Sequence, residues 1–201
     1  MNANFSKRLI AYIIDFIFIS AILMIIAYFI PKNQNVAFLN SDINDLTEQA
    51  LNNEITFESY FNEYSRYISS IDEENVLYNV ISLIIIIIYY VIIPLIFKTT
   101  IGKYIMKLEI KEKDGKKLNI YNTFVRSIID VGIIYSLITI FLVEIVNPKI
   151  YLFSLIILGF IQFILVIISI FMILYRHDKR GLQDILSKSN IVFRGEKEWD
   201  N

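Results

Sequence analysis

The chain contains no cysteine and one histidine, His177, among 201 residues. Without cysteine there is neither a disulfide framework nor thiolate metal ligation, and a lone histidine cannot build a histidine-rich metal site. Glycine is scarce, at 6 residues, and Gly102-Lys103 stands without the further glycines that a phosphate-binding loop requires. No serine, histidine and carboxylate form a triad pattern, and His177 between Arg176 and Asp178 fits a surface residue better than a base. No enzymatic activity, cofactor or metal ion is expected. A formal net charge of -1 gives no sign of a nucleic-acid partner, and none is expected; the distribution of charge along the chain says more.

What the chain has instead is hydrophobic length. Apolar and aromatic residues make up 56% of it. Four runs approach or exceed the ~20 residues that a helix needs to cross a bilayer: Leu9 to Ile30, Val76 to Phe97, Ile128 to Val146 and Ile150 to Tyr175. Such uninterrupted runs exclude a closed β-barrel. The expected fold class is an all-α membrane protein, a four-transmembrane-helix bundle with small additions in its loops. The first run opens on Lys7-Arg8 as a signal peptide does, but it is too long and lacks a small-residue cleavage site, so it is expected to remain as an anchor.

Polar residues inside these runs need a reason. Asp15 stands roughly 9 Å beyond Leu9 along a helix, where a carboxylate costs ~2.5–3.5 kcal/mol on insertion scales and turns toward protein or water. Arg8, Tyr12 and Asp15 follow i, i+4, i+7 spacing and share one face. Arg126 and Asp130 are i, i+4 at the start of the third run, which also carries Gly132, Ser136, Thr139 and Glu144. Each carboxylate has two readings, an ionisable site that binds a proton or cation, or an ion pair that fixes helix packing. Gln162, at mid-depth in the fourth run, is expected to hydrogen-bond a neighbouring helix, and Glu144 to be solvated.

Between the runs the charge is segregated. Lys32 to Asn75 holds nine acidic residues against Lys32 and Arg66. Ser41 and Thr56 look like N-caps, giving amphipathic helices over Asp42 to Asn52 and Phe57 to Ser70. The stretch from Lys98 to Ser127 is basic, and within it Lys107 to Lys111 alternates polar with apolar ahead of the turn pair Asp114-Gly115. That pattern predicts a β-hairpin pairing Lys107 to Lys111 with Lys116 to Ile120, with Ile191 to Phe193 in the tail as a third strand. Its lysines serve as a topology signal or as a lipid-binding patch.

Counting Lys and Arg orients the chain. The lead has two, the second loop with its edges eight and the tail six, against two in the first loop and one in the last turn. Both termini and loop 98–127 are therefore expected in the cytoplasm, with the helical loop 31–75 outside and the tail 176–201 inside. Asp15 and Asp130 then fall at the cytoplasmic ends of their helices.

Three stretches together resemble the RDD family of membrane proteins. They are Arg8 to Asp15 with its Arg-x6-Asp spacing; Thr100-Ile101-Gly102-Lys103 with Leu108-Glu109-Ile110, Asp114-Gly115 and Thr123 to Ser127; and Asp178 through Asp184 to Leu186, including Leu182. The chain departs from the family pattern in its acidic loop and in Ile101, where a proline often precedes the glycine. For the family's second aspartate both Asp184, on local pattern, and Asp130, on depth, qualify. The resemblance implies one RDD-like membrane domain over 1–201 in the cell membrane, and a transport role, cation/proton exchange among those proposed for the family.

Two functions follow from this reading. A small exchanger, with a monovalent cation and a proton as ligands, requires that Arg8, Asp15, Arg126 and Asp130 converge into one polar cluster with Tyr12 at its edge, Asp15 being the poised acid. Four helices are few for a pathway, so it also calls for a second copy of the chain. A scaffold or regulatory subunit instead binds a membrane-protein partner through its loops and keeps its carboxylates paired and dry. The lipid bilayer is a partner in both.

Overall fold

The computed structural model describes residues 3–30, 34–113 and 117–195, with backbone alone for 34–41. Three helices have membrane-spanning length and apolarity, α1 (Phe5–Phe29), α4 (Val76–Phe97) and α8 (Pro148–Tyr175). Between α1 and α4 stand α2 (Gln34–Leu51) and α3 (Phe57–Glu74). A short helix α5 (Ile101–Ile105) and strand β1 (Leu108–Glu112) precede α6 (Ile120–Val131) and α7 (Ile133–Val143). After α8 come α9 (Leu182–Leu186) and strand β2 (Ser189–Phe193).

The expected third span is a bent pair. Helices α6 and α7 pass the membrane test only together and are bent by 72°, so the structure holds three spans, or four if that pair counts as one. The bend sits at Gly132, whose φ of +68° is left-handed backbone that a side chain makes costly. Helix α6 also begins earlier than expected, because Asn119 and Asn122 form a reciprocal capping box, each amide oxygen accepting from the other residue's backbone N–H.

The predicted hairpin is corrected. β1 does pair antiparallel, but with β2, in the register Leu108↔Phe193, Ile110↔Ile191, Glu112↔Ser189, and Lys117 to Asn119 form no strand. The Asp114-Gly115 turn and Lys116 lie outside the described residues. The tail segment expected as a third strand is thus the partner itself. Its register puts Leu108, Ile110 and Ile191 on one buried face, and Leu108 and Ile191 meet Ala3 and Ala11 in a small core.

Helix α4 carries the polar site into register. Residues Ile88–Ile92 form a π-turn, which accommodates one extra residue and turns the adjacent Tyr89, Tyr90 and Val91 all inward. Pro94, two residues on, has no N–H to give the carbonyl of Tyr90. That carbonyl accepts instead from the Ser127 hydroxyl of α6, at 3.0 Å.

The described chain forms two compact units. The first joins 1–25, 84–133 and 161–201; the second joins 26–83 and 134–160. In the second, Thr56 caps α3 as expected, accepting from the Ser59 N–H. Helix α2 starts at Gln34, so Ser41 lies inside it rather than at its cap. Asp72 of α3 accepts from the buried Tyr151 hydroxyl at 2.7 Å, and Phe61 meets Phe153 at 5.2 Å between ring centres. Burial raises the Asp72 carboxyl above its ordinary range despite that hydrogen bond.

Candidate functional site

The buried charged residues described in the first unit fall into two networks. In the first, Asp15 is fully buried and accepts from the Tyr89 hydroxyl at 2.5 Å, the Thr100 hydroxyl at 2.6 Å and the Gly102 N–H at 2.7 Å. The Lys103 ammonium stands 3.6 Å away. The Tyr89 hydroxyl also accepts from the Ile101 N–H, at 3.2 Å. Asp15 therefore fastens the start of α5 onto α1. Only glycine allows that approach at position 102, because a Cβ there would stand 2.1 Å from the Ala11 carbonyl oxygen.

The second network is centred on Asp184 of α9, which is also fully buried. One carboxylate oxygen takes Arg8 Nη1 at 2.5 Å and the other Arg126 Nη1 at 2.6 Å. The Gly181 N–H adds a third donor at 3.0 Å. Burial alone would raise this carboxyl, but the guanidiniums of Arg126 and Arg8 outweigh it and hold it below the ordinary carboxylate range. Arg8 binds, in addition, the carbonyl of Ala3 at 3.1 Å, and Arg180 binds the carbonyl of Asp184 at 3.0 Å. The start of α1, α6, α9 and the sheet are thus joined through one carboxylate.

Beside this network Arg126 also faces Asp130, whose carboxylate lies 3.4 Å from its Nε. Asp130 lines a cavity of about 180 Å³, together with Arg8, Tyr12, Lys103, Ser169 and Gln183. Arg126 is 3% exposed, yet its Nε and Nη2 have no hydrogen-bond partner. These two nitrogens share one edge of the guanidinium, which faces Asp130 without a hydrogen bond while Nη1 is committed to Asp184 and Ser189.

A model of the RDD family matches residues 2–188. The chain belongs to the RDD family. Among curated proteins and among solved structures, no match was found.

For this RDD chain the expected site residues are brought together in part. Arg8, Arg126 and Asp130 converge, with Tyr12 beside them on the cavity wall. Asp15 does not close into the same cluster, because α5 inserts its backbone and Lys103 between them and takes up the carboxylate. Nor do Arg8 and Asp15 pair with each other, although they share a helix face: Arg8 reaches Asp184, and Asp15 reaches Lys103. Of the RDD motif residues, Gly102 and Lys103 hold Asp15, and Asp184 holds both arginines. Leu182 opens α9, while Asp178 pairs with the exposed Arg176 at 2.9 Å. Gln162 hydrogen-bonds across helices, donating to the carbonyl of Ile129 at 2.9 Å, and Glu144 and His177 are exposed. The sequence reading missed Tyr89 and Thr100 as partners of Asp15. Thr100 precedes the Gly102-Lys103 motif and could have been suspected; Tyr89 faces inward only because of the π-turn.

Proposed function

We propose that this protein exchanges a monovalent cation for a proton across the cell membrane, with Asp130 as the coupling carboxylate. The observation that carries the reading is the contrast among the buried aspartates. Asp15 and Asp184 each hold three hydrogen-bond donors. Asp130 borders a cavity, and its one ion-pair partner among the described residues is Arg126, at 3.4 Å. Asp130 is held toward the Nε side of Arg126. A proton or a cation on Asp130 removes that attraction, and Arg126 stays compensated through Asp184. Either ligand satisfies the site, but not both together, which is the condition for exchange. Asp15 acts here as a positioning residue that sets Lys103 at the cavity wall. A second copy of the chain completes the pathway.

In vesicles containing the purified protein, a pH gradient should drive sodium or potassium flux, and Asp130→Asn should lower it to the rate of empty vesicles. Flux retained in that variant rejects Asp130. Absence of flux in the wild type favours the scaffold or regulatory reading, which the 80% exposed Phe57 beside the stacked Tyr60 and Tyr64 rings on α3 supports.

The proposed orientation keeps both termini in the cytoplasm, on the lysine and arginine distribution. The native chain has no cysteine, so single cysteines report cleanly. In intact cells an impermeant thiol reagent should label Asn53→Cys and leave Lys113→Cys unlabelled, and the reverse pattern would invert the topology.

A further inference from the structure

We infer that the cavity beside Asp130 is also a binding site for a phospholipid whose headgroup carries both a phosphate and a primary ammonium. The inference goes beyond ion exchange and does not depend on it, since a protein that moves no ion still offers the same cavity.

Position comes first. The cavity is walled by Phe5 and Leu9 from the first turns of α1 and by Val166, Ile170 and Ile173 from the last turns of α8. Both helices have spanning character, and these turns lie at matching ends of them, within reach of the headgroup layer. Leu9 and Tyr12, on the wall formed by α1, are 43% and 46% exposed, so that side of the cavity faces the bilayer. Apolar walls that open toward the bilayer suit an acyl chain.

Chemistry comes second. The Nε and Nη2 of Arg126 donate no hydrogen bond, and with Asp130 drawn off Nε they present the fork that binds a phosphate through two parallel N–H···O bonds. The ammonium of Lys103, on the same wall, adds a point charge. The neighbouring carboxylate then selects the rest of the headgroup. Asp130 stands 3.4 Å from Arg126 Nε, so a bare phosphate on that fork would face a carboxylate. An ammonium on the same headgroup relieves this by pairing with Asp130, which yields the Arg126 fork to the phosphate. Tyr12 stands beside that position. The headgroup ammonium and a free monovalent cation accordingly compete for one carboxylate.

Native mass spectrometry of the detergent-purified protein can test this with four probes: phosphatidylethanolamine, phosphatidylglycerol, diacylglycerol and soluble phosphoethanolamine. Phosphatidylethanolamine should be retained about tenfold more strongly than phosphatidylglycerol, the worth of one charge-assisted contact. It should exceed diacylglycerol by more, and soluble phosphoethanolamine should not displace it. In Asp130→Asn the preference over phosphatidylglycerol should fall to about one. Ile170→Trp, which fills the apolar wall without touching the charge network, should lose both phospholipids. Equal binding of the two phospholipids by the wild type would overturn the headgroup assignment. Displacement by phosphoethanolamine would make the ligand a soluble one, and full retention in Ile170→Trp would place the lipid elsewhere.

Discussion

Asp184→Asn should lower the stability of the purified protein by ~3–5 kcal/mol, the usual consequence of leaving buried charge uncompensated. The substitution keeps the shape of the side chain and removes the one full charge that Arg8 and Arg126 share, at 2.5 and 2.6 Å. Neither arginine has an easy retreat, since both are more than nine-tenths buried. Asp178 supplies the contrast. Arg176 holds its pKa down to about 2, yet that pair is solvent-exposed, and Asp178→Asn should change stability by less than about 1 kcal/mol. The pH dependence has a definite sign. The Asp184 carboxyl is held below its ordinary value in the folded state, so its contribution is complete above the ordinary carboxylate range and is lost as pH falls through the depressed value. Thermal melts of the wild type should therefore drop toward acid along a limb that Asp184→Asn lacks. A variant that melts with the wild type at neutral pH would show that the arginines find other partners.

Much of the architecture was legible because a bilayer imposes a simple rule, length and apolarity, on each span. That rule located α1, α4 and α8 within a few residues. At the third run it gave length but not shape, because composition is apolar enough while a single left-handed residue, Gly132, bends the pair α6 and α7 by 72°; a glycine in a run does not announce its φ. The sheet shows a different limit. Alternation marked both strands correctly, but pairing was assigned to the nearer segment because a turn pair stood between them. What chose β2 was the buried face that Leu108, Ile110 and Ile191 can make together, and a contact between distant segments leaves no local signature.

The polar site follows the same division. Arg8, Asp15, Arg126 and Asp130 stood out because charged groups in apolar runs are costly and few. Their partners could not be read from helix faces, since i, i+4 spacing predicts pairs within a helix and the structure uses pairs between elements. Arg126–Asp130 is the exception, a pair within one helix that does form, and at 3.4 Å it is looser than the arginine–carboxylate pairs of Asp184. The choice between Asp130 and Asp184 as the family's second aspartate becomes a division of labour. Asp184 binds the arginines of both α1 and α6, whereas Asp130 touches one of them and faces open space.

Gly102→Ala should be the most damaging conservative change in the chain. An added Cβ would lie 2.1 Å from the Ala11 carbonyl oxygen and 2.8 Å from the Asp15 Cγ. Neither atom can yield cheaply, the first being helix backbone and the second a carboxylate held from three directions. If α5 moves away instead, the Gly102 N–H leaves Asp15, and with it a hydrogen bond to a charged group worth ~1.5–3 kcal/mol. A partial shift leaves some overpacking, worth ~1–3 kcal/mol, so a total loss of roughly 2.5–6 kcal/mol follows from the two effects together. The consequence reaches the cavity as well, because Lys103 is the next residue and reaches its position from α5. Folded Gly102→Ala protein, recovered at low temperature, should show a lowered melting midpoint together with weakened retention of phosphatidylethanolamine. Gly195→Ala gives the comparison, since a Cβ there has no atom within 4 Å and only its φ of +87° is unfavourable, whereas Gly102 sits in helical backbone. That variant should lose only the ~1–2 kcal/mol of left-handed backbone strain and retain lipid as the wild type does. Equal damage from the two substitutions would mean that the close approach of α5 to α1 yields to a methyl group at no more cost than left-handed strain at a loop.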